Sequence, residues 1–156
     1  MSPKATVYRL SISAQRGVKK TNVPRVRVDV KRGIIGDGHG RTERQISLLP
    51  IESFGKLDHP DLAISPGDFG ENITTQHLDF SQLQVGTKVR LGNGVRLEII
   101  QIGKECHDGC AILEITGDCI MPREGVFARV LAPGVIQVGD GIEIEANNRK
   151  RKARIL

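Results

Sequence analysis

Polar and apolar positions alternate over much of the chain, which is the period of a half-buried strand. TVYRLSISA at 6–14 alternates in this way. VPRVRVDV at 23–30 does so cleanly, with Val26, Val28 and Val30 on one face and Arg25, Arg27 and Asp29 on the other. QISLLP at 45–50 is a short apolar run closed by proline. The clearest pattern is TKVRLGNGVRLEIIQIG at 87–103, where two β-rich runs flank Asn93-Gly94. Asn-Gly is the preferred pair for a two-residue type I′ hairpin turn. VIQVGDGIEIEA at 135–146 predicts a closing strand pair, or one strand bent at Gly139-Asp140-Gly141.

Helical signals are fewer. IESFGKLDH at 51–59 predicts a short helix weakened by Gly55. CAILEITGDC at 110–119 fits either a helical turn or a strand. PREGVFARVLAPG at 122–134 begins with Pro122 and stops at Pro133-Gly134, which predicts one short helix. Many short strands, 18 glycines and no internal repeat predict a mainly β fold, a closed or nearly closed β-barrel with a few short helices. A length of 156 residues without a dividing linker predicts one domain over 1–146, followed by a basic tail at 147–156 expected to be flexible.

Charge changes the picture because it is local. The net +5 contains five positive charges from Arg149, Lys150, Arg151, Lys152 and Arg154 in the tail. Residues 1–44 hold 11 basic and 3 acidic residues, whereas 45–148 hold 7 basic and 15 acidic. A basic N-terminal third suits an anionic ligand, although two oppositely charged halves also simply neutralise each other in a fold. No apolar run approaches the roughly 18 to 20 residues of a membrane span. MSPKATVYRL has no apolar core of a secretory signal. With three cysteines, one thiol must remain without an intrachain partner, and the expected setting is the reducing cytoplasm, with no membrane association.

Two glycine-rich loops carry more specific polar groups than a connection needs. GIIGDGHGRTERQ at 33–45 holds Asp37, His39, Arg41, Arg44 and Gln45; SPGDFGENITT at 65–75 holds Gly70, Glu71 and Asn72. Glycine lets a backbone bend sharply and approach a ligand closely. Arginines beside exposed N–H groups suit phosphate or another oxyanion. The same residues also dominate ordinary turns. Neither loop matches a phosphate-loop or dinucleotide fingerprint.

GKECHDGC at 103–110 carries two of the cysteines. Zinc is not expected: three residues separate Cys106 from Cys110, His107 is adjacent to Cys106, and no second ligand pair follows. Cys110 and Cys119 are followed by apolar residues and read as small buried hydrophobes. Cys106 follows the apolar strand and is flanked by Lys104, Glu105, His107 and Asp108. A nearby cation, Lys104 or His107, stabilises the thiolate, the nucleophilic and metal-binding form. Cys106 is therefore the candidate functional thiol, with Lys104 beside it. Arg123 and Arg129 belong to the segment after it, and either could reach the same site.

In this order GDGHGRTERQISLL, SPGDFGENIT and IIQIGKEC resemble the MOSC domain, named for the C-terminal domain of molybdenum cofactor sulfurase. GDCIMPREGVFARVL is similar to a small stand-alone bacterial subgroup. The resemblance spans about residues 25–145. It implies a barrel like that of the pyruvate kinase β-domain, and binding of a molybdopterin-type cofactor or carriage of sulfur, with Cys106 bearing a persulfide or coordinating molybdenum. It places the family's Arg-Gln on Arg44 and Gln45, and its Gly-Glu-Asn on Gly70, Glu71 and Asn72. Implied partners are the cofactor with its phosphate-bearing pterin, a pyridoxal phosphate-dependent cysteine desulfurase, or a molybdenum enzyme. One departure is Glu105, where many members have proline; a carboxylate there raises the thiol pKa and opposes Lys104.

Three functions follow. The first is cofactor binding or sulfur carriage through Cys106, including sulfur transferase activity. The second is a molybdenum-dependent oxidoreductase acting on N-hydroxylated compounds, which would need electrons from other proteins because this chain has no flavin or iron–sulfur motif. The third is a nucleic-acid-binding barrel using the tail. Four Phe, one Tyr and no Trp offer few stacking platforms for single strands, which disfavours it.

Overall fold

The computed structural model of the protein describes residues 4–15, 20–38, 42, 44–56, 65–103 and 125–145. They form eleven strands: β1 Thr6–Ile12, β2 Thr21–Val23, β3 Arg25–Asp29, β4 Gly33–Ile34, β5 Ile46–Pro50, β6 Ile73–Gln76, β7 Lys88–Leu91, β8 Val95–Ile102, β9 Val126–Ala132, β10 Gly134–Gln137 and β11 Ile142–Ile144. Two short 3₁₀ turns, Ile51–Lys56 and Phe80–Gln82, account for the helical content among these residues. The fold is mainly β with few helices.

The larger sheet runs β11-β7-β8-β9-β5-β6-β1-β2, and a smaller one runs β10-β3-β4. Neighbours are antiparallel except β5 and β6, which run parallel with Leu48 opposite Ile73. Both sheets bury their apolar faces in one core. Leu10, Ile46, Leu48, Ile73, Leu97 and Ile99 come from the large sheet; Val26, Val28 and Ile136 come from the small one. The alternation of VRV in β3 is therefore realised, with Arg25 and Arg27 facing out, but Val30 lies beyond the strand and is 51% exposed.

The barrel expected from the sequence is not closed by strand pairing: among the described residues no sheet closes on itself. The outer edge of β1 explains why. Its second half, Leu10–Ile12, is occupied by β2. Only its start remains to meet the far end of the sheet, through one isolated bridge between Thr6 and Gly141. The N–H of Val7 donates to Asp140, that of Gly139 to Val7 and that of Ile142 to Ala5 at 2.8–2.9 Å around that bridge.

Three local expectations also change. The helix predicted within 122–134 is, over Val126–Ala132, the central strand β9 between β8 and β5. Val126, Ala128 and Val130 face the core with period two, while Phe127 is also buried on the other face and masks the alternation. Leu91 pairs with Val95, so the β7–β8 connection has three residues rather than two. Of these only Gly92 has positive φ, +59°, whereas a type I′ turn needs two such residues. A side chain at Gly92 would also meet the Asp140 carboxylate, 2.6 Å from the position of its Cβ. Finally, β10 and β11 do not pair with each other; β10 joins β3 and β11 joins β7. The ambiguous 110–119 segment and the basic tail lie outside the described residues.

Candidate functional site

Arg44 and Gln45 immediately precede β5, and Gly70, Glu71 and Asn72 immediately precede β6. Because β5 and β6 are parallel, both segments lie at the same end of the sheet. Asn72 sits beside Ser47, and its side chain is fully enclosed. Its Oδ1 accepts from the Ser47 N–H at 3.0 Å and the Ser47 hydroxyl at 3.3 Å, and its Nδ2 donates to the Ser11 carbonyl at 3.2 Å. Asn72 thus joins β5 to β1 across β6. The Gly70 carbonyl accepts from the Ser47 hydroxyl at 3.3 Å, which lays the 65–70 loop over β5.

Glu71 is also fully enclosed. Its Oε2 accepts from the Gly67 N–H and the Thr74 hydroxyl, both at 2.9 Å, while Oε1 has no hydrogen-bond partner. Burial pushes its carboxyl above the ordinary carboxylate value, against the lowering effect of the Gly67 and Thr74 hydrogen bonds. The folded state therefore holds a proton on Glu71 more tightly than the unfolded chain does. Its stabilising contribution is fully present below pH about 4.5 and is lost as pH rises through the raised folded value. Glu71→Gln removes the charge but keeps the shape. Urea titrations should show wild type losing stability relative to this variant as pH rises above about 4.5. Equal pH profiles for the two proteins would refute this account of Glu71.

Asp37 is buried against a partner that sequence reasoning missed. Lys20 Nζ lies 2.7 Å from Asp37 Oδ1, and the two side chains are 1% and 0% exposed. The Ser13 N–H donates to the same Oδ1 at 3.1 Å. The Lys20 N–H in turn donates to the Gly67 carbonyl at 3.1 Å. One lysine therefore fastens the 33–38 loop through its side chain and the 65–70 loop through its backbone. No motif marks Lys20; it lies in a run of polar residues.

Arg44 behaves differently. It is exposed, with its guanidinium 5.4 Å from the centroid of the Phe127 ring. Its Nε donates to Gln101 Oε1 at 3.0 Å, and Gln101 Nε2 donates to the Gly103 carbonyl at 2.8 Å. Gly103, at φ +67°, ends β8 and donates its own N–H to Gly125 at 2.7 Å. Arg44 and Gln101 line a cleft of about 670 Å³ together with Thr42, Val85, Glu98 and Arg129. Arg129 and Glu98 pair at 2.6 Å across β9 and β8. Gln45 reaches the same cleft but is buried as a brace. Its Nε2 donates to Val30 O and its Oε1 accepts from Val130 N, both at 2.8 Å.

The predicted residues therefore separate. Arg44 and Gln45 meet at the cleft, Asp37 is held by Lys20, and Glu71 and Asn72 stitch the loop to the sheet. His39, Arg41, Lys104, Cys106 and Arg123 lie outside the described residues. Gln101 was not anticipated; the only trace of it is one polar residue interrupting IIQIG at the end of the long strand. Among the described residues no group of three or more His, Cys, Asp or Glu could hold a metal ion, and no helix is long and apolar enough to cross a membrane.

The family model of the MOSC domain matches residues 36–143. No curated protein sequence matches the chain. Among solved structures, the chain is similar to the YuaD protein of Bacillus subtilis, with 20% identity and a TM-score of 0.71 over 93% of this chain and 97% of that one. YiiM from Geobacillus stearothermophilus gives 21% and 0.72 over 91% and 75%. YiiM from Escherichia coli gives 22% and 0.61 over 94% and 71%. At these identities the likeness establishes the fold.

Proposed function

This chain belongs to the MOSC domain family, and on that premise we propose that it holds a molybdopterin-type cofactor in the Arg44 cleft, with Cys106 as its thiolate ligand or as a carrier of sulfur. The family is linked to molybdenum cofactor binding and metabolism. The observation that carries the finer reading is the exposed Arg44, fixed by Gln101 at the end of β8. Cys106 follows Gly103 by three residues, so chain geometry keeps its Cα within about 11 Å of that strand end.

The described residues fit such a group in part. A phosphate needs a cation with open N–H donors. The terminal nitrogens of Arg44 make no hydrogen bond among the described residues. A cleft of about 670 Å³ suits a small cofactor. Asp37, Glu71 and Asn72 do not line the cleft; they bond to Lys20, Ser13, Gly67, Thr74, Ser11 and Ser47 and so hold the 33–38 and 65–70 loops in place. A molybdenum centre would take the soft Cys106 thiolate as ligand and supply redox chemistry. The chain's own residues would bind the phosphate and fix its position. In the sulfur-carrying form, a cysteine desulfurase is the class of donor that would place sulfur on Cys106.

Wild type and Cys106→Ser purified from a molybdenum-replete host should differ. Wild type is expected to carry pterin and molybdenum, or a persulfide detected as one added sulfur by mass spectrometry, and the variant to lack it. If the variant matched wild type in both readouts, Cys106 would have no such role.

A further inference from the structure

We infer that Gln101 is a positioning residue that turns Arg44 into a preorganised receptor for a phosphate-class oxyanion. The inference rests on the cleft being a ligand site. Gln101 is half-buried, next to a register shift in the β8–β9 ladder between Ile99 and Gln101, and stands opposite Phe127. Its amide has one favourable orientation. The oxygen accepts from Arg44 Nε at 3.0 Å while the nitrogen donates to the Gly103 carbonyl at 2.8 Å. Flipping the amide would set donor against donor and acceptor against acceptor, so each bond enforces the other.

The effect on Arg44 is geometric. With Nε engaged and the guanidinium placed over Phe127, rotation about the last side-chain bonds is restricted. The edge formed by the two terminal nitrogens is left for a bidentate contact with an oxyanion. Holding that edge in place before binding removes an ordering cost that a loose arginine would meet on each binding event. The same amide is bonded to Gly103, so the receptor is tied to the strand end that leads into the Cys106 segment. Glutamate cannot replace glutamine here. It would still accept from Arg44, but it would cancel the cation's charge and oppose a carboxylate to the Gly103 carbonyl.

The test uses inorganic phosphate and the full chain. Affinities are measured by phosphorus NMR titration at constant ionic strength for wild type, Gln101→Glu, Gln101→Asn, Arg44→Ala and Arg44→Lys. Thermal melting of each protein is followed in parallel. Wild type should bind, and Arg44→Ala should lose binding. Gln101→Glu should weaken it about tenfold or more, on the order of one lost charge-assisted hydrogen bond, with a melting curve close to wild type. Arg44→Lys should also weaken it, because an ammonium cannot reproduce the fixed bidentate edge. Absence of phosphate binding by wild type, or wild-type affinity in Gln101→Glu or Gln101→Asn, would overturn the inference. Cofactor content of Cys106→Ser is read separately, so failure of the Cys106 role and failure of the Gln101 role give different results.

Discussion

Asp37→Ala is expected to destabilise the protein by about 3–5 kcal/mol, the range for removing one partner of a buried ion pair. The reason is the state of Lys20 in the variant. Its side chain is 1% exposed and its ammonium lies 2.7 Å from Asp37 Oδ1. Without that carboxylate a buried positive charge loses the counter-ion 2.7 Å away, and the Ser13 N–H loses its acceptor. The pair Lys20→Met with Asp37→Leu should recover much of the loss, since apolar side chains of similar volume carry no desolvation penalty. The recovery would be incomplete because Ser13 still lacks its partner. Urea unfolding of the two single variants and the double variant gives the coupling directly. A cost below about 1 kcal/mol for Asp37→Ala would mean that water reaches Lys20 and that the pair is not buried in solution.

The second large effect falls on the other attachment of the same lysine. Gly67 has φ +97°, and a Cβ there would stand 2.6 Å from the Lys20 carbonyl oxygen and 3.0 Å from the Ser11 hydroxyl. Gly67→Val therefore combines a conformation that L-residues avoid with a collision against backbone, which cannot swing aside. A loss of about 3 kcal/mol or more follows from adding the conformational cost to that of overpacking. Gly70 is the internal control. It also has positive φ, +81°, yet a Cβ there would meet nothing within 4 Å. Gly70→Ala should cost only the conformational part, about 1–2 kcal/mol. If Gly67→Val and Gly70→Ala unfolded at the same urea concentration, steric crowding at Lys20 would play no part.

These two sites also measure what the sequence could and could not disclose. Period-two patterning located β1, β3, β5, β7 and β8, because their core residues alternate or run together between turn residues. It failed at β9. There Phe127 is buried on the outer face by Arg44, so the apolar run looks the same as a helix bounded by proline at each end. Closure was not legible either, because it depends on β2 occupying half of the β1 edge, a tertiary fact with no local trace. The loops show the same limit. Asp37, Glu71 and Asn72 carry the composition of a ligand site, but polar side chains in glycine-rich loops are equally used to satisfy the loop's own backbone and its supports. The partners of Asp37 and Asn72, namely Lys20, Ser13, Ser47 and Ser11, are separated from them by 17 or more residues, beyond the reach of any spacing rule, whereas Glu71 bonds locally to Gly67 and Thr74. Arg44 stands out in the sequence as a candidate because it is a cation at the mouth of a strand. Gln101 was not, because its role depends on meeting Arg44 across 57 residues of chain.

The proposed occupant of the Arg44 cleft, beside the end of β8, is a molybdopterin-type cofactor. The most direct measurement is molybdenum and pterin per chain, for the native protein and for Arg44→Ala purified in parallel from a molybdenum-replete host. Pterin is expected in the native protein, with a content reduced about tenfold or more in Arg44→Ala, the scale of a lost bidentate phosphate contact. Pterin at the same level in both proteins, or in neither, would contradict it.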